Sequence, residues 1–472
     1  MTDRPRPAAI AALLSFLFPG LGQAYLGERR AALLFAGPTA LVVLGAILAA
    51  IVLGEHLLNQ LLSAPVLVGL LVANVALLAW RLGAIGHVGL RREHGHGTRR
   101  AMSVVLVVAL LATTVGMHAW AGMLIGQLNA SLGEVFGGGN GQTGAPGGGG
   151  PLNRPTYRWD GTERITFLLL GVDSGVGRNE ALTDTILVVS VDPVAGSAIM
   201  VSVPRDTGFV PLPDRSVYPD GLYPYKINGL STEASDAPEI WCPDEVIDPA
   251  SCGLRTLERA IGLYLGISIQ YYATVDLQGF ADLIDAVGGV TLCLPGPMID
   301  PEYGGPTWTG VGIELPGGCA HYDGVHALAY ARVRKGWIEL PDGTREYQND
   351  FMRSERQQKV LLELRQEFAK ADLFFEFPAI VTAIGSTVET DFPRSLAGDL
   401  ASLLPLITGP DIKRVVLGYP EFVDPPLEPL VNYLLIPRRS DVRAEMQRLF
   451  GQELEGWYLG SEAEGPPTRG SG

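Results

Sequence analysis

Two aspartates border a short glycine-bearing loop between two apolar segments. Asp173 ends the run ITFLLLGVD, and Asp184 begins the run DTILVVSVD eleven residues later. Both runs are apolar, rich in β-branched residues and of strand length, which predicts buried β-strands. Ligands of open α/β sheets bind beyond the carboxyl ends of strands, and two carboxylates there suit Mg²⁺. Because a single aspartate in such a place is more often an ordinary turn or cap, only the pair is informative.

Arginines follow the apolar segments. Arg205 comes directly after a third apolar run, AIMVSVP, and Arg332 and Arg334 close the helical segment GVHALAYARVR. Two residues apart on a helix, Arg332 and Arg334 would point in different directions. They can bind one ligand only if the helix ends there, which Lys335 and Gly336 indicate.

A second polar group opens the amphipathic segment DFMRSERQQKVLLELRQEFAKA. Arg353, Arg356 and Gln357 have i, i+3, i+4 spacing, which predicts one helical face. Arginine is the preferred bidentate partner of phosphate. A pyrophosphate with Mg²⁺ would account for both signs of charge, whereas structural ion pairs are the alternative that spacing alone favours.

The elements that carry these residues alternate between strands and helices. Three apolar strands are followed by the helical segment at residues 276–290, which stops at Gly288 and Gly289, and by the helices at residues 324–334 and 350–371. Continuously apolar strands are usually covered on both faces. We therefore predict an α/β domain with helix–sheet–helix layers around a mixed sheet.

Charge separates the chain into two parts. Residues 1–149 contain no lysine, nine arginines and five acidic residues, whereas the rest holds 26 basic and 45 acidic residues. An acidic domain of this size argues against a nucleic-acid partner, which requires a basic face.

The first part is predicted to lie in a membrane. A bilayer span takes roughly 20 apolar residues, and we predict a membrane region at residues 1–130 with spans at about 31–53, 64–80 and 102–125. The earlier stretch, at about residues 8–27, is broken by a Pro-Gly-Leu-Gly sequence, which favours a re-entrant or interfacial hairpin. Arginines flank the hairpin and fill the loop between the second and third spans. The positive-inside rule then predicts a multi-pass cell-membrane protein with a cytoplasmic N-terminus and an extracellular second domain.

The remaining boundaries come from composition. Residues 131–150 are glycine-rich, which is typical of a flexible linker, and residues 451–472 are predicted to be a flexible tail. The domain between them is predicted at residues 151–450.

The cysteines are consistent with an extracellular location. None has the C-x-x-C spacing of a zinc site, and neighbours in sequence favour the pairs Cys242–Cys252 and Cys293–Cys319. Four cysteines allow three pairings, and free buried thiols are the alternative. Disulfides would require an oxidising compartment.

Seven short motifs follow one another in the second domain. They are FLLLGVDS, LTDTILVVSVDP, VSVPRDT, KING, VDLQGFADLIDAVGGV, DGVHALAYARVR and DFMRSERQQ. Together they resemble the LytR-CpsA-Psr family of cell-wall glycopolymer transferases, from about residue 165 to 360, with a looser match to about residue 450. The family's layout, a membrane anchor followed by an outer catalytic domain, is also similar.

The resemblance implies a reaction and a site. A glycopolymer on a polyprenyl-pyrophosphate carrier would be transferred to a sugar hydroxyl of peptidoglycan, forming a phosphodiester next to the membrane lipid. Asp173 and Asp184 would hold Mg²⁺ or Mn²⁺. The phosphates would contact Arg205, Arg332, Arg334, Arg353 and Gln357, with Asp350 orienting an arginine. The family places the polyprenyl chain between sheet and helices, where the apolar candidates, each also an ordinary core residue, are Phe280, Leu283, Ile284, Leu361 and Leu362.

The sequence departs from the family pattern in three places. Gly175 stands where the family usually has an arginine, and we expect Arg178 to replace it as a pyrophosphate ligand. Leu182 and Thr183 replace another usual arginine. Residues 230–253 resemble an insertion, which we expect to form a lid or an acceptor-binding loop if a disulfide ties it.

Two other functions fit the same residues. A lipid-pyrophosphate hydrolase would use water as the acceptor. A non-enzymatic envelope regulator or lipid-binding protein would need no chemistry at Asp173 or Arg332. The residues do not separate the two enzymes, and no segment resembles a DNA-binding helix pair or a large cytoplasmic signalling domain.

Overall fold

The computed structural model describes residues 7–54, 57–89, 98–136, 159, 161–173, 182–243, 248–304, 308, 310–370, 377–399, 412–424 and 433–451. The chain divides into two compact units. The first comprises Met1–Ala130 and Ala397–Asp399, and the second comprises Ser131–Leu396 and Leu400–Gly472. Most of the predicted linker and tail, and the loop at residues 174–181, lie outside the described residues.

The first unit is helical. Its helices are α1 (Ala8–Leu17), α2 (Leu21–Tyr25), α3 (Arg29–Leu53), α4 (Leu57–Leu62), α5 (Ala64–Gly89) and α6 (Thr98–Val135), the last of which continues past the unit's end. Three of them are long and apolar enough to cross a membrane, at Arg29–Leu53, Ala64–Gly89 and Ala101–Val135. The second and third are longer than the predicted spans because helical hydrogen bonding continues beyond the apolar segment.

The predicted hairpin is a helix–turn–helix within this unit. The turn between α1 and α2 contains Gly20 with a φ of +100°, a left-handed conformation that glycine adopts without strain. Gln23 is buried and donates a 2.9 Å hydrogen bond to the carbonyl of Ala84, which ties the hairpin to α5. The hairpin is therefore fixed by tertiary contacts.

The second unit contains the remaining strands and helices that the structure describes. Its strands are β1 (Ile165–Asp173), β2 (Leu182–Asp192), β3 (Ser197–Ser202), β4 (Val210–Pro211), β5 (Leu222–Tyr223), β6 (Tyr271–Asp276), β7 (Val290–Leu294), β8 (Met298–Asp300), β9 (Ile313–Leu315), β10 (Gly318–Tyr322), β11 (Trp337–Glu339), β12 (Arg345–Tyr347), β13 (Val388–Thr390), β14 (Ile412–Val416), β15 (Val423–Asp424) and β16 (Ile436–Pro437). Its helices are α7 (Leu230–Asp236), α8 (Pro238–Trp241), α9 (Pro249–Leu265), α10 (Leu277–Ala286), α11 (Gly324–Arg332), α12 (Asp350–Lys370), α13 (Phe377–Thr387) and α14 (Arg439–Phe450).

A six-stranded mixed sheet forms the centre of this unit. Its order is β13-β6-β1-β2-β3-β14, with β1 parallel to β6 and β14 parallel to β3, and with the other neighbours antiparallel. The adjacent strands β1, β2 and β3 are largely apolar along their length, as expected for strands covered on both faces. The structure thus confirms the predicted α/β fold class with helix–sheet–helix layers.

One face of the sheet packs on α9 and α14. Leu168 of β1 and Val188 of β2 are buried in one cluster with Leu257 of α9 and Met446 of α14. The other face carries α10, α11 and α12, whose buried residues form a second cluster with the small strands β7–β11. α11 carries Arg332 and α12 carries Arg353, so these two helices bring predicted arginines to this face of the sheet.

Both disulfides favoured by sequence proximity are present. Cys242 is bonded to Cys252, and Cys293 to Cys319, so the described chain has no free cysteine. The first bridge joins α8 to α9 in the segment that resembles an insertion. A Cβ at Gly253 would lie 2.1 Å from the carbonyl oxygen of Ser231, so α7 and α9 cross in backbone contact. The described part of this segment is therefore helical and packed on the core.

Two acidic side chains are buried together away from the predicted site. Glu258 of α9 is only 1% exposed, and its burial raises its pKa. The nearby carboxylate of Asp391 raises this pKa further, whereas the charges of Arg259 and Arg255 lower it. Burial also raises the pKa of Asp391, although its carboxylate accepts a 2.8 Å hydrogen bond from the backbone N–H of Tyr272. The pair therefore favours the protonated form in the folded protein.

Candidate functional site

A β-bulge directs Asp184 out of the sheet's alternation. Gly171 of β1 pairs with Thr185, and the next residue, Val172, pairs with Thr183, so Asp184 is the extra residue of β2. Bulges of this kind redirect a side chain at the edge of a site. Asp173 ends β1 opposite Leu182, but its side chain, like the whole of Arg178, lies outside the described residues.

Arg205 pairs with Asp184. The Nη1 atom of Arg205 lies 2.6 Å from Oδ1 of Asp184, and the arginine is largely buried. Burial alone would lower the pKa of Arg205, but the carboxylates of Asp184, Asp350 and Asp206 outweigh it and raise this pKa. Arg205 is therefore a fixed cation at the end of β3, as the sequence placed it.

Asp350 lies among three arginines. Its Oδ1 atom is 3.0 Å from Nη1 of Arg353, 3.9 Å from Nε of Arg205 and 3.9 Å from Nη1 of Arg334. The aspartate begins α12, where the helix dipole favours a negative charge. One carboxylate thus gathers arginines from three separate segments of the chain, where sequence analysis expected it to orient one.

Arg353 links the carboxylate of Asp350 to the backbone of Asp184. It is 6% exposed, and its Nη2 atom donates a 3.2 Å hydrogen bond to the backbone carbonyl of Asp184. Burial lowers the pKa of Arg353, and the carboxylate of Asp350 is the largest opposing influence. We call Asp184, Arg205, Arg334, Asp350 and Arg353 the arginine–aspartate cluster.

Arg332 and Gln357 lie next to this cluster. α11 ends at Arg332 and the backbone of Val333 is not helical, so Arg334 lies outside the helix, which was predicted to run to residue 334. The hydroxyl of Tyr303 is hydrogen-bonded to Arg332. The Nε2 atom of Gln357 lies 3.4 Å from the carbonyl oxygen of Ala331, which connects α12 to the last turn of α11.

Arg356 has a different role from the one its spacing suggests. Its Nε atom donates a 2.7 Å hydrogen bond to the carbonyl of Tyr330, and its other nitrogens donate to the Val333 carbonyl and to Oε1 of Gln348. Burial lowers the pKa of Arg356 to about 10. Arg356 therefore fixes the C-terminal turn of α11, on which Arg332 lies. In the sequence, only the i+3 spacing from Arg353 indicated that Arg356 would face the same side of α12, and it did not indicate this role.

An apolar cavity of about 130 Å³ lies between the sheet and α10, α11 and α12. Its floor follows the sheet register: Leu169 pairs with Leu187 of β2 and with Ala273 of β6. Its roof includes Phe280 and Leu361, as the family resemblance suggested. Ile284 is instead buried in the core, and Leu283 packs against that core.

The apolar cavity has a small polar part. Thr185, Asp276, Arg332 and Gln357 line it together with apolar residues. An apolar space that includes an arginine suits an anion with an apolar tail, since burial stabilises the tail and arginine binds the anion.

Few side chains among the described residues could coordinate a metal ion. They contain no group of three or more His, Cys, Asp or Glu side chains that could hold a metal ion. Mg²⁺ needs only one or two carboxylates when phosphate oxygens and water complete its shell. The half-buried Asp184 carboxylate fits that requirement.

Comparison with known proteins identifies the family. The chain belongs to the LytR_cpsA_psr family, whose model matches residues 151–417. This confirms the resemblance drawn from the seven motifs.

Individual relatives are more distant. A polyisoprenyl-teichoic acid–peptidoglycan teichoic acid transferase, TagU of Bacillus mycoides, is 27% identical over 51% of this chain and 64% of its own length. A probable cell wall biosynthesis protein, LcpB of Corynebacterium glutamicum, is 34% identical over 36% of this chain and 32% of its own length. The crystal structure of B. subtilis TagV is 23% identical, covering 61% of this chain and 97% of that chain, with a TM-score of 0.44. The chain thus spans less than two thirds of the length of these curated relatives.

Proposed function

We propose that this protein transfers a glycopolymer from a polyprenyl-pyrophosphate carrier to a sugar hydroxyl of peptidoglycan. The observation that carries the proposal is the apolar cavity that includes Arg332 and Gln357, next to the arginine–aspartate cluster. The cavity fits the polyprenyl chain, and the cluster fits the pyrophosphate. Membership of the family and the transferase activity in the name of the TagU relative support the same reaction class.

The chemistry is a phosphoryl transfer. The acceptor hydroxyl oxygen forms a bond to the phosphorus that bears the glycan, and the bond from that phosphorus to the bridging oxygen breaks. Polyprenyl phosphate leaves with the bonding electrons, and the hydroxyl proton passes to a base. Such reactions depend on positioning and charge neutralisation more than on covalent catalysis. The proposed phosphate ligands are Arg205, Arg332, Arg334 and Arg353, with Gln357 beside them.

A divalent cation completes the proposal. Asp184, together with Asp173, would hold Mg²⁺ or Mn²⁺, which would neutralise charge on the pyrophosphate. Asp184 in turn holds Arg205 through the 2.6 Å ion pair, so a carboxylate here also fixes a phosphate ligand.

The location proposed for this reaction is the outer face of a cell membrane. Three apolar helices of sufficient length support anchoring, and the disulfides support an oxidising compartment. A multi-pass anchor with a cytoplasmic N-terminus and an extracellular second domain follows from the arginine distribution.

The experiment uses the full chain in lipid nanodiscs. The protein is incubated with a synthetic polyprenyl-pyrophosphate disaccharide, Mg²⁺ and peptidoglycan fragments, and mass spectrometry follows both polyprenyl phosphate and linked glycan. Linked glycan is expected from the unchanged protein, with a loss of about 100-fold or more in Arg332→Ala. Arg345→Ala is the matched control because Arg345 is exposed on β12 and lines neither the cavity nor the cluster.

Other outcomes separate the alternatives. Release of polyprenyl phosphate without linkage to any peptidoglycan fragment would establish a hydrolase. Tight binding of the lipid without turnover, with equal cellular function in Arg332→Ala, would establish a lipid-binding or regulatory protein.

A further inference from the structure

A second cavity, of about 180 Å³, lies on the polar side of the site. Its wall includes four members of the arginine–aspartate cluster, Arg205, Arg334, Asp350 and Arg353. It shares no lining residue with the apolar cavity, which is lined by Arg332 and Gln357 and by no member of the cluster.

Helix α12 relates the two cavities. Its first turn, residues 350–354, lines the polar cavity, whereas Gln357 and Leu361 line the apolar one. The rise from Arg353 to Gln357 is about 6 Å along the helix, which is comparable to the length of a pyrophosphate. A pyrophosphate whose lipid occupies the apolar cavity would therefore present its far phosphorus toward the polar cavity.

The outer wall of this cavity carries a tyrosine and an ion pair. Tyr433 lines the cavity and is 47% exposed. Lys226 lies 6.0 Å from the centre of its ring and 2.7 Å from Oδ1 of the buried Asp206. An accessible aromatic face beside hydrogen-bonding groups suits a sugar ring, which has apolar C–H faces and polar hydroxyls.

The position of Tyr433 is set by backbone pairing. The N–H of Leu435 donates a 2.9 Å hydrogen bond to the carbonyl of Asp206, and the N–H of Gly208 donates a 2.9 Å bond to the carbonyl of Leu435. This segment lies beyond residues 151–417, where the family model matches. Tyr433 and Leu435 therefore come from a part of the chain outside the matched domain, whereas Lys226 and Asp206 lie within it.

We infer that the polar cavity is a saccharide subsite in which the Tyr433 ring stacks on the sugar that carries the attacking hydroxyl. The inference rests on the proposed function, which sets the direction from which the acceptor hydroxyl attacks the phosphorus. In an in-line displacement the attacking oxygen approaches the phosphorus opposite the leaving group. With the lipid phosphate on the apolar side, the attacking sugar lies on the polar side, next to Asp206 and Asp350.

The test measures acceptor and donor dependence separately, with the full chain in nanodiscs. The acceptor is a peptidoglycan-derived disaccharide–peptide, and the donor is a polyprenyl-pyrophosphate disaccharide. Tyr433→Ala is expected to raise the KM for the acceptor by about tenfold, while the KM for the donor stays unchanged. Tyr433→Phe keeps the ring and should remain close to the unchanged protein. Tyr347→Ala is the matched control, because Tyr347 is an exposed tyrosine that lines neither cavity.

Each result has a distinct meaning. An increase confined to the donor KM would overturn the inference, because Tyr433 would then contact the donor glycan and not the attacking sugar. Unchanged KM values for both substrates in a folded, active Tyr433→Ala variant would overturn the subsite and leave the proposed function standing. Saturation-transfer NMR with the acceptor alone covers the opposite case: if transfer fails but acceptor binding is present and lost in Tyr433→Ala, the subsite stands and the proposed function fails.

Discussion

Replacing Arg356 with lysine should loosen the end of α11 while keeping the positive charge. The guanidinium donates to three acceptors, the carbonyls of Tyr330 and Val333 and Oε1 of Gln348. A lysine ammonium on a flexible stem cannot reproduce this planar arrangement. The expected outcome is a locally frayed turn that carries Arg332 and Arg334 away from the proposed pyrophosphate site.

The magnitude follows from the number of bonds lost. If lysine keeps one of the three, two charged hydrogen bonds at about 1.5 kcal/mol each are lost, or about 3 kcal/mol in total. The local opening of the last turn of α11 should then become easier on the order of 100-fold. The N–H of Val333, which donates a 3.0 Å hydrogen bond to the carbonyl of Ala329, reports on that opening directly.

Hydrogen–deuterium exchange of the full chain measures the effect. The peptide that covers residues 329–334 should exchange on the order of 100-fold faster in Arg356→Lys, whereas the peptide of α10 should be unchanged. Arg414→Lys is the matched control, since Arg414 is an exposed arginine on β14. Equal exchange of residues 329–334 in Arg356→Lys and in the unchanged protein would refute the assigned role. Transfer activity should fall in parallel, because a displacement of about 1 Å at a reacting group can cost about 100-fold.

Three further predictions concern the cavity, the buried acids and a disulfide. Leu361→Trp should fill the apolar cavity and raise the KM for a long polyprenyl donor by about tenfold, but leave a two-isoprene donor unaffected; equal effects on both donors would argue against lipid binding there. Burial gives Glu258 and Asp391 pKa values above those of the unfolded chain, so the folded protein binds more protons and its stability falls as pH rises from about 4 to about 7. Glu258→Gln should flatten that fall, as measured by the midpoint of thermal unfolding across the pH range, and an unchanged slope would contradict it. Replacing Cys242 and Cys252 with serine should lower the free energy of unfolding by about 2–3 kcal/mol, measured by denaturant titration; equal midpoints would show that the bridge contributes nothing.

Local signals in the sequence determined most of the elements around the site. Asp276 caps α10 by accepting a 2.6 Å hydrogen bond from the N–H of Gly279, and Gly288 and Gly289 end that helix with positive φ angles. The existence of α11 was likewise predicted, although the helix ends at Arg332, two residues before the predicted end at residue 334. These features depend on neighbours in the chain, so periodicity and capping residues suffice to predict them.

The tertiary structure decided which of the candidate residues meet. Asp350 contacts arginines from three segments, and only the packing of α11 and α12 on the sheet brings Arg205 and Arg334 to it. The position of Asp184 depends on a bulge between β1 and β2, which an apolar pattern with period two does not reveal. The roles of Asp173 and Arg178 remain predictions from the motifs.

Arg353 and Arg356 show the difference most clearly. Both are buried and their spacing is that of one helical face, yet Arg353 joins the cluster while Arg356 binds the carbonyls of Tyr330 and Val333. Periodicity determines the direction of a side chain around its own helix. The two carbonyls that Arg356 binds belong to a segment more than twenty residues away, and only the folded chain brings them to it. A buried guanidinium or carbonyl without a hydrogen-bond partner costs free energy, so the fold must pair these groups.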